Sequence, residues 1–202
     1  MSSIKEYKLV QVQKEEISRK IYEAARDEFY DKGFKGATLR NIASVAGIPV
    51  GLIYTYYKNK EELFNRIVAP LSSFFNEALT ENDDSGEQGK PHDDSTLFNE
   101  MQQLLQVFKT HRMEFIIMID KSRGTKYENT RELIISTTKE HIKVNLSAKI
   151  KEKNVDEFFY HILANNFMES IFEIARHYKD EEWAKRMVDL TARQYFYGVN
   201  SL

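Results

Sequence analysis

The sequence predicts an all-α fold of about nine helices, three short ones followed by six longer ones. Three observations predict it. Apolar residues recur at intervals of three and four in segment after segment, no stretch alternates as a half-buried strand would, and capping residues, glycine or proline punctuate the ends of those segments. With 202 residues, 42% of them hydrophobic, the chain can bury a real core. No internal repeat falls at solenoid spacing.

In chain order, residues 1–13 are polar and read as an arm or an extension of the first helix. From Glu15 to Asp31 the stripe Ile17, Ile21, Ala24, Ala25 and Phe29 marks one face of an amphipathic helix, which Gly33 ends. Thr38 suits the N-cap of a short second helix, because its hydroxyl can accept from a free amide of the first turn, and Gly47 closes that helix after Ile42, Ala43 and Ala46. A third short helix runs from Pro49 to about Tyr56, proline being tolerated where no amide donor is needed. Asn59 with Glu62 resembles a capping box for a fourth helix toward Ala78, in which Pro70 predicts a kink or break near Ala69.

Residues 80–95 hold six acids against one lysine and read as an acidic loop. Leu97, Met101, Leu104 and Phe108 then form a helical stripe, and the dense apolar segment from Arg112 to about Lys121 predicts burial on several sides. Thr125 with Glu128 predicts the start of a long helix through Lys153. Asn154 with Glu157 does the same for the next, through about Tyr178. Asp180 caps the last helix, whose stripe is Ala184, Val188, Thr191, Tyr195 and Val199.

Composition excludes several classes of function. There is no cysteine, hence no disulfide and no thiolate metal site. No window is long and apolar enough to span a membrane, and no apolar signal region opens the chain, so a cytoplasmic protein with no membrane association is expected. The net charge of −2 hides an asymmetry: residues 1–66 carry 12 basic against 9 acidic side chains, and the remainder 17 against 22. A basic first third on an acidic body suits a head that binds a polyanion.

Two short helices joined at Gly47 after a supporting helix make a helix-turn-helix, whose second helix enters the DNA major groove. The residues go further. Ala24-Ala25, Phe29, Gly33-Phe34, Thr38, Ile42-Ala43, Ala46-Gly47-Ile48, Gly51, Ile53-Tyr54, Tyr56-Tyr57, Lys60 and Glu61 to Leu63 closely resemble the signature of the TetR (tetracycline-repressor) family, at unbroken spacing from about Ile17 to Phe64. The resemblance implies a DNA-binding head at residues 1–64 and a helical ligand-binding and dimerisation body at residues 65–202. It also implies a homodimer built mainly on the last two helices, a double-stranded DNA operator as partner, and a small-molecule effector of unknown identity. No cofactor and no metal are implied.

Carried over position by position, the resemblance assigns Thr38, Leu39 and Arg40 to the start of the second helix, where the family contacts the DNA backbone and some bases. It places Val50, Gly51, Leu52, Tyr54, Thr55 and Tyr56 on or just after the recognition helix, and Lys58 and Lys60 where family members hold phosphate. Pro49 and Val50 depart from the family pattern of Ser or Thr followed by a polar or basic residue. A helix offering Pro49, Val50, Gly51 and Leu52 has few groups for bidentate base reading. Apolar contact with thymine methyls, Arg40, and phosphate clamping by Tyr54, Tyr56, Lys58 and Lys60 are therefore expected to carry more of the binding.

In the body, Phe108, His111, Met113, Phe115, Met118, Tyr127, Asn165, Asn166 and Phe167 are candidates to line a pocket, since small-ligand sites combine apolar walls with a few polar groups. For each one alone, an ordinary helical core is the simpler reading. Phe158, Ile162, Phe172, Trp183, Met187 and Tyr195 are candidates for a symmetric dimer interface, because the last two helices are apolar on more than one side. Glu169, Glu173 and His177 share a helix face and read as a solvated Glu-His pair in preference to a metal site.

These features predict a ligand-responsive transcriptional regulator that is not an enzyme, most simply a repressor released from its operator by an effector. The alternatives are a helical adaptor whose head no longer binds DNA, and a small-molecule enzyme. The enzyme reading lacks a nucleophile motif, a phosphate loop and clustered histidines.

Overall fold

A computed structural model describes residues 2–71, 94–147 and 155–199. Among these residues the secondary structure is all helical, as α1 (Ser2–Gly36), α2 (Leu39–Ala46), α3 (Val50–Tyr56), α4 (60–71), α5 (Asp94–Asp120), α6 (Thr130–Ser147), α7 (Glu157–Arg176) and α8 (Glu181–Val199). The difference from nine lies in α5, which is broken at His111 (φ −138°, ψ 30°). Its two halves correspond to the two helices expected on either side of that residue. No described helix is long and apolar enough to cross a membrane.

The residues expected to be an arm or an extension are an extension, since α1 starts at Ser2. Its stripe is buried as its spacing requires: Ile21, Ala25 and Phe29 are fully covered and Ala24 nearly so. Gly33 does not cap the helix in the expected way. At φ 67° and ψ 172°, a backbone open essentially only to glycine, it redirects the chain. The Phe34 amide then donates to the Lys121 carbonyl at 2.9 Å, and one more turn reaches Gly36.

The rest of the head follows its caps. Thr38 accepts from the Asn41 amide, and Gly47 ends α2 in the left-handed region at φ 69°. Pro49 sits at the N-cap of α3, one residue before the first helical position. Asn59 Oδ1 accepts from the Glu62 amide at 2.8 Å, while Glu62 reaches back to the Lys58 amide at 2.6 Å instead of to Asn59. The α4 backbone stays helical through Pro70 to residue 71; the predicted continuation to Ala78 lies outside the described residues.

Phe29, Phe34 and Phe64 hold the head together, with ring centroids of Phe64 5.1 Å from Phe29 and 5.3 Å from Phe34 in edge-to-face contact. Ile42, Ala43 and Ile53 close the core around them. Each fully buried large side chain contributes roughly 1.5–3 kcal/mol by its removal from water.

The body is built on the second half of α5. Phe115 to Ile119 are all buried, because α1, α6, α7 and α8 pack around this helix. α6 starts at Thr130, five residues later than the Thr125 and Glu128 pattern predicts. Those two residues serve a preceding turn: the Thr125 hydroxyl accepts from the Tyr127 amide at 3.1 Å, and Glu128 accepts from the Gly124 amide at 2.9 Å. α7 is capped by Asp156, which accepts from the Phe158 amide at 2.8 Å. Asn154, the expected cap, lies outside the described residues, as do 148–153 of the long helix and most of the acidic stretch 80–95. Asp180 caps α8 through the Trp183 amide at 2.8 Å.

Candidate nucleic-acid interface

α2 and α3 present a continuous exposed face because each buries only one side. Ile42 and Ala43 of α2 and Ile53 of α3 point into the core, which turns Arg40 outward on α2 and Val50, Gly51, Tyr54 and Thr55 outward on α3. Positions 50 and 54, and 51 and 55, are four apart and form one strip along α3. Val50 is 42% exposed and Tyr54 58%, an unusual degree of exposure for apolar side chains on a short helix unless something covers them. Beyond its chain neighbours and the backbone of its own helix, a methyl group at Gly51 would meet nothing within 4 Å, so packing inside the head does not require glycine there.

Thr38 is exposed at the N-cap of α2, and Leu39 and Leu52 are half-buried at the margins of the strip. Tyr56 is also half-buried, and its hydroxyl donates to the Lys14 carbonyl at 3.4 Å, which ties α3 to α1. Lys58 is exposed just beyond α3. Among the described residues, neither Arg40 nor Lys58 has a carboxylate partner, so both cations are available to an outside anion.

Lys60 is placed differently from the expectation. Its ammonium turns inward, donating to the Phe34 carbonyl at 2.6 Å and the Ala37 carbonyl at 2.9 Å, and lies 4.5 Å from the centroid of the Phe34 ring. Burial pulls its pKa below the ordinary lysine value, and the carbonyls and ring face compensate the half-buried charge. Lys60 closes the end of α1 in this structure, and its ammonium does not face outward with Lys58.

One residue that the sequence reading missed completes the head. Glu28 on α1 is 8% exposed, and its Oε1 accepts from the Thr38 amide at 3.3 Å, the Asn41 side-chain amide at 3.2 Å and the Lys32 ammonium at 3.1 Å. Burial opposes its charge, but the bonds from Lys32, Thr38 and Asn41 outweigh it and hold the carboxyl below its usual range. The available signal was a glutamate at 28 lying four and three residues after Ala24 and Ala25, on the buried stripe of α1.

The nine pocket candidates do not converge. Phe108, Phe115 and Met118 are sealed in the core, with the Phe108 and Phe115 rings 5.5 Å apart. His111 and Met113 are half-buried at the α5 break, and Tyr127 packs 6.3 Å from Phe64 where head meets body. Asn165 is half-buried. Asn166 and Phe167 line an open groove of about 270 Å³ between α7 and α8, shared with Leu163, Ser170, Thr191, Gln194, Tyr195 and Gly198.

The dimer candidates divide as well. Phe158 and Ile162 are 66% and 39% exposed on one side of α7. Phe172 is fully buried, 6.1 Å from Phe115, so it belongs to the core and offers no surface. Trp183 and Met187 are half-buried, with the Lys179 ammonium 5.7 Å from the Trp183 ring. Tyr195 packs 4.9 Å from Phe167. The Glu-His pair forms, His177 lying 3.1 Å from Glu173. Arg176 joins Glu173 at 2.6 Å and Asp120 at 2.7 Å, while Arg131 pairs with Glu169.

Comparison with known proteins gives this geometry its context. Residues 21–67 match the family of bacterial regulatory proteins of the tetR type. An HTH-type transcriptional regulator of Bacillus subtilis, YhgD, is 45% identical over 51 residues, covering 25% of this chain and 27% of that protein, so the likeness spans little more than a quarter of the relative's length. Over most of the chain the fold resembles that of solved regulators. A TetR-like regulator from Rhodococcus sp. RHA1 superposes with a TM-score of 0.57 at 19% identity, covering 90% of this chain and 96% of that one. NalD, the secondary repressor of the MexAB-OprM multidrug efflux pump in Pseudomonas aeruginosa, does so with a TM-score of 0.51 at 18% identity over the same shares. Residues 21–67 are thus similar to the N-terminal domain of the tetR family of bacterial regulatory proteins.

Proposed function

We propose that the chain is a DNA-binding transcriptional regulator, acting as a homodimeric repressor that a small molecule releases from its operator. The observation that carries this reading is the α2–Gly47–α3 unit with its outward strip: Val50, Gly51, Tyr54 and Thr55 flanked by Arg40 and Lys58, which have no carboxylate partner among the described residues. A strip of this kind suits a major groove, with methyl-contacting side chains toward the bases and cations toward phosphates.

In a two-fold dimer the two recognition helices must lie roughly 34–36 Å apart, about one DNA turn. An effector that alters that distance alters operator affinity, which is the coupling a repressor requires. Head and body are joined at several points here, through the Phe34 amide on the Lys121 carbonyl, the Tyr22 hydroxyl on Glu114 at 3.0 Å, and the Phe64–Tyr127 contact. Such joints support transmission from body to head. The exposed side of α7 at Phe158 and Ile162 supports the dimer, and the known role of NalD as a repressor supports the direction of regulation.

A gel shift on the DNA flanking the chain's own coding region tests the reading. Retardation at low salt that weakens as salt rises is expected; no retardation of that DNA or of any flanking fragment rejects it in favour of an adaptor.

A further inference from the structure

Resting on the DNA-binding reading above, we propose that Glu28 is a positioning residue for DNA binding: by accepting from both Thr38 and Asn41 it sets the first turn of α2, and with it Arg40, against α1. Three hydrogen bonds interlock at this point. Thr38 Oγ1 accepts from the Asn41 amide at 3.2 Å, and Glu28 Oε1 accepts from the Thr38 amide at 3.3 Å and the Asn41 side chain at 3.2 Å. Arg40 lies between the two tethered residues and is exposed. A change in the roll of this turn moves the guanidinium relative to any phosphate it meets.

The geometry separates the tether from the charge. Lys32, 45% exposed at its side chain, pairs with Glu28 at 3.0 Å from one turn further along α1, and its long stem can follow a carboxylate that moves. Thr38 and Asn41 cannot follow, because Ile42 and Ala43 hold α2 in the core. The Glu28–Lys32 pair also leaves the ground beneath α2 with little net charge, so a carboxylate can stand behind a surface meant for an anion.

Two conservative variants test this. Glu28→Gln keeps an oxygen for Thr38 and Asn41 and discards the charge. Glu28→Asp keeps the charge and the Lys32 pairing, but withdraws the oxygen by one methylene. Each full-length protein is titrated with the duplex flanking its own coding region, and folding is checked by circular dichroism. The expected order has the Gln variant within about threefold of wild type, and the Asp variant weaker by about tenfold, with a salt slope lower by about one unit as the Arg40 contact is lost.

Amide exchange at Thr38 and Asn41 should rise in the Asp variant alone. A folded Asp variant that binds like wild type, or a Gln variant as weak as Asp, overturns the proposal while leaving the DNA-binding reading intact. A wild-type protein that binds no duplex overturns both.

Discussion

The Lys60 ammonium donates to the carbonyl oxygen of Phe34 at 2.6 Å while standing over the ring of the same residue at 4.5 Å. One side chain thereby fastens the start of α4 to the end of α1, close to where the Phe34 amide reaches the body at Lys121. A lysine that reads in the sequence as a phosphate contact is thus part of the head's own frame.

Lys60→Ala is therefore expected to destabilise the protein by about 1.5–3 kcal/mol, the range for hydrogen bonds to a charged group. The salt slope of DNA binding should stay unchanged. Urea unfolding gives the first quantity and anisotropy titrations at several salt concentrations give the second. A slope lower by about one unit with unchanged stability would restore Lys60 to the phosphate contacts.

Arg40→Ala and Lys58→Ala should each behave in the opposite way. Both cations are exposed and lack carboxylate partners among the described residues, so their removal costs little stability. Each should lower the salt slope by about 0.9 and weaken binding about equally on all sequences. The same titrations test this.

Tyr22→Phe removes the donor to Glu114, which is 5% exposed. Leaving a covered carboxylate without that bond costs about 1–3 kcal/mol, read as a lower urea midpoint. In wild type, burial first and the Glu114 carboxylate second raise the Tyr22 phenol to about 12. Since the folded pKa lies above the unfolded one, the contribution is complete below pH about 10 and fades as pH rises through about 12.

Acid should act through Glu28 in the reverse sense. Its folded pKa lies below the ordinary 4.5, so its contribution to stability is present above that value and is lost as pH falls through the folded pKa. The Tm of wild type should exceed that of Glu28→Gln near neutral pH. The gap should close below pH about 4.5. A gap that is constant from pH about 7 to about 3 would mean the charge plays no part in stability.

Phe158→Glu on the exposed side of α7 places a charge where a partner copy would bury an aromatic ring. A shift from dimer to monomer in sedimentation at micromolar concentration is expected, with circular dichroism unchanged because Phe158 is 66% exposed. A variant that remains dimeric moves the interface elsewhere.

Local signals made much of the fold legible. Thr38, Gly47, Asn59 and Asp180 act where short-range capping chemistry puts them, because a cap involves only neighbours in sequence. Thr125 and Glu128 carried the same pattern and made a turn instead, with Gly124 at φ 90° diverting the chain before α6. What could not be read were contacts across the fold. Phe172 and Phe158 look alike in the sequence, yet one meets Phe115 and the other meets solvent. Lys60 and Lys58 are two residues apart, yet only the first finds the carbonyls of Phe34 and Ala37. Glu28 stood on an apolar stripe, but its partners Thr38 and Asn41 come into reach only through the turn at Gly33.

The most direct test of the account is the affinity of the wild-type protein for the duplex flanking its own coding region, measured by anisotropy between about 50 and 200 mM salt. A dimer holding phosphates through Arg40, Lys58 and their symmetry mates should lose affinity linearly on a log–log scale, with a slope steeper than about −3. Absence of binding at the lowest salt, or binding indifferent to salt, would contradict a DNA-reading head.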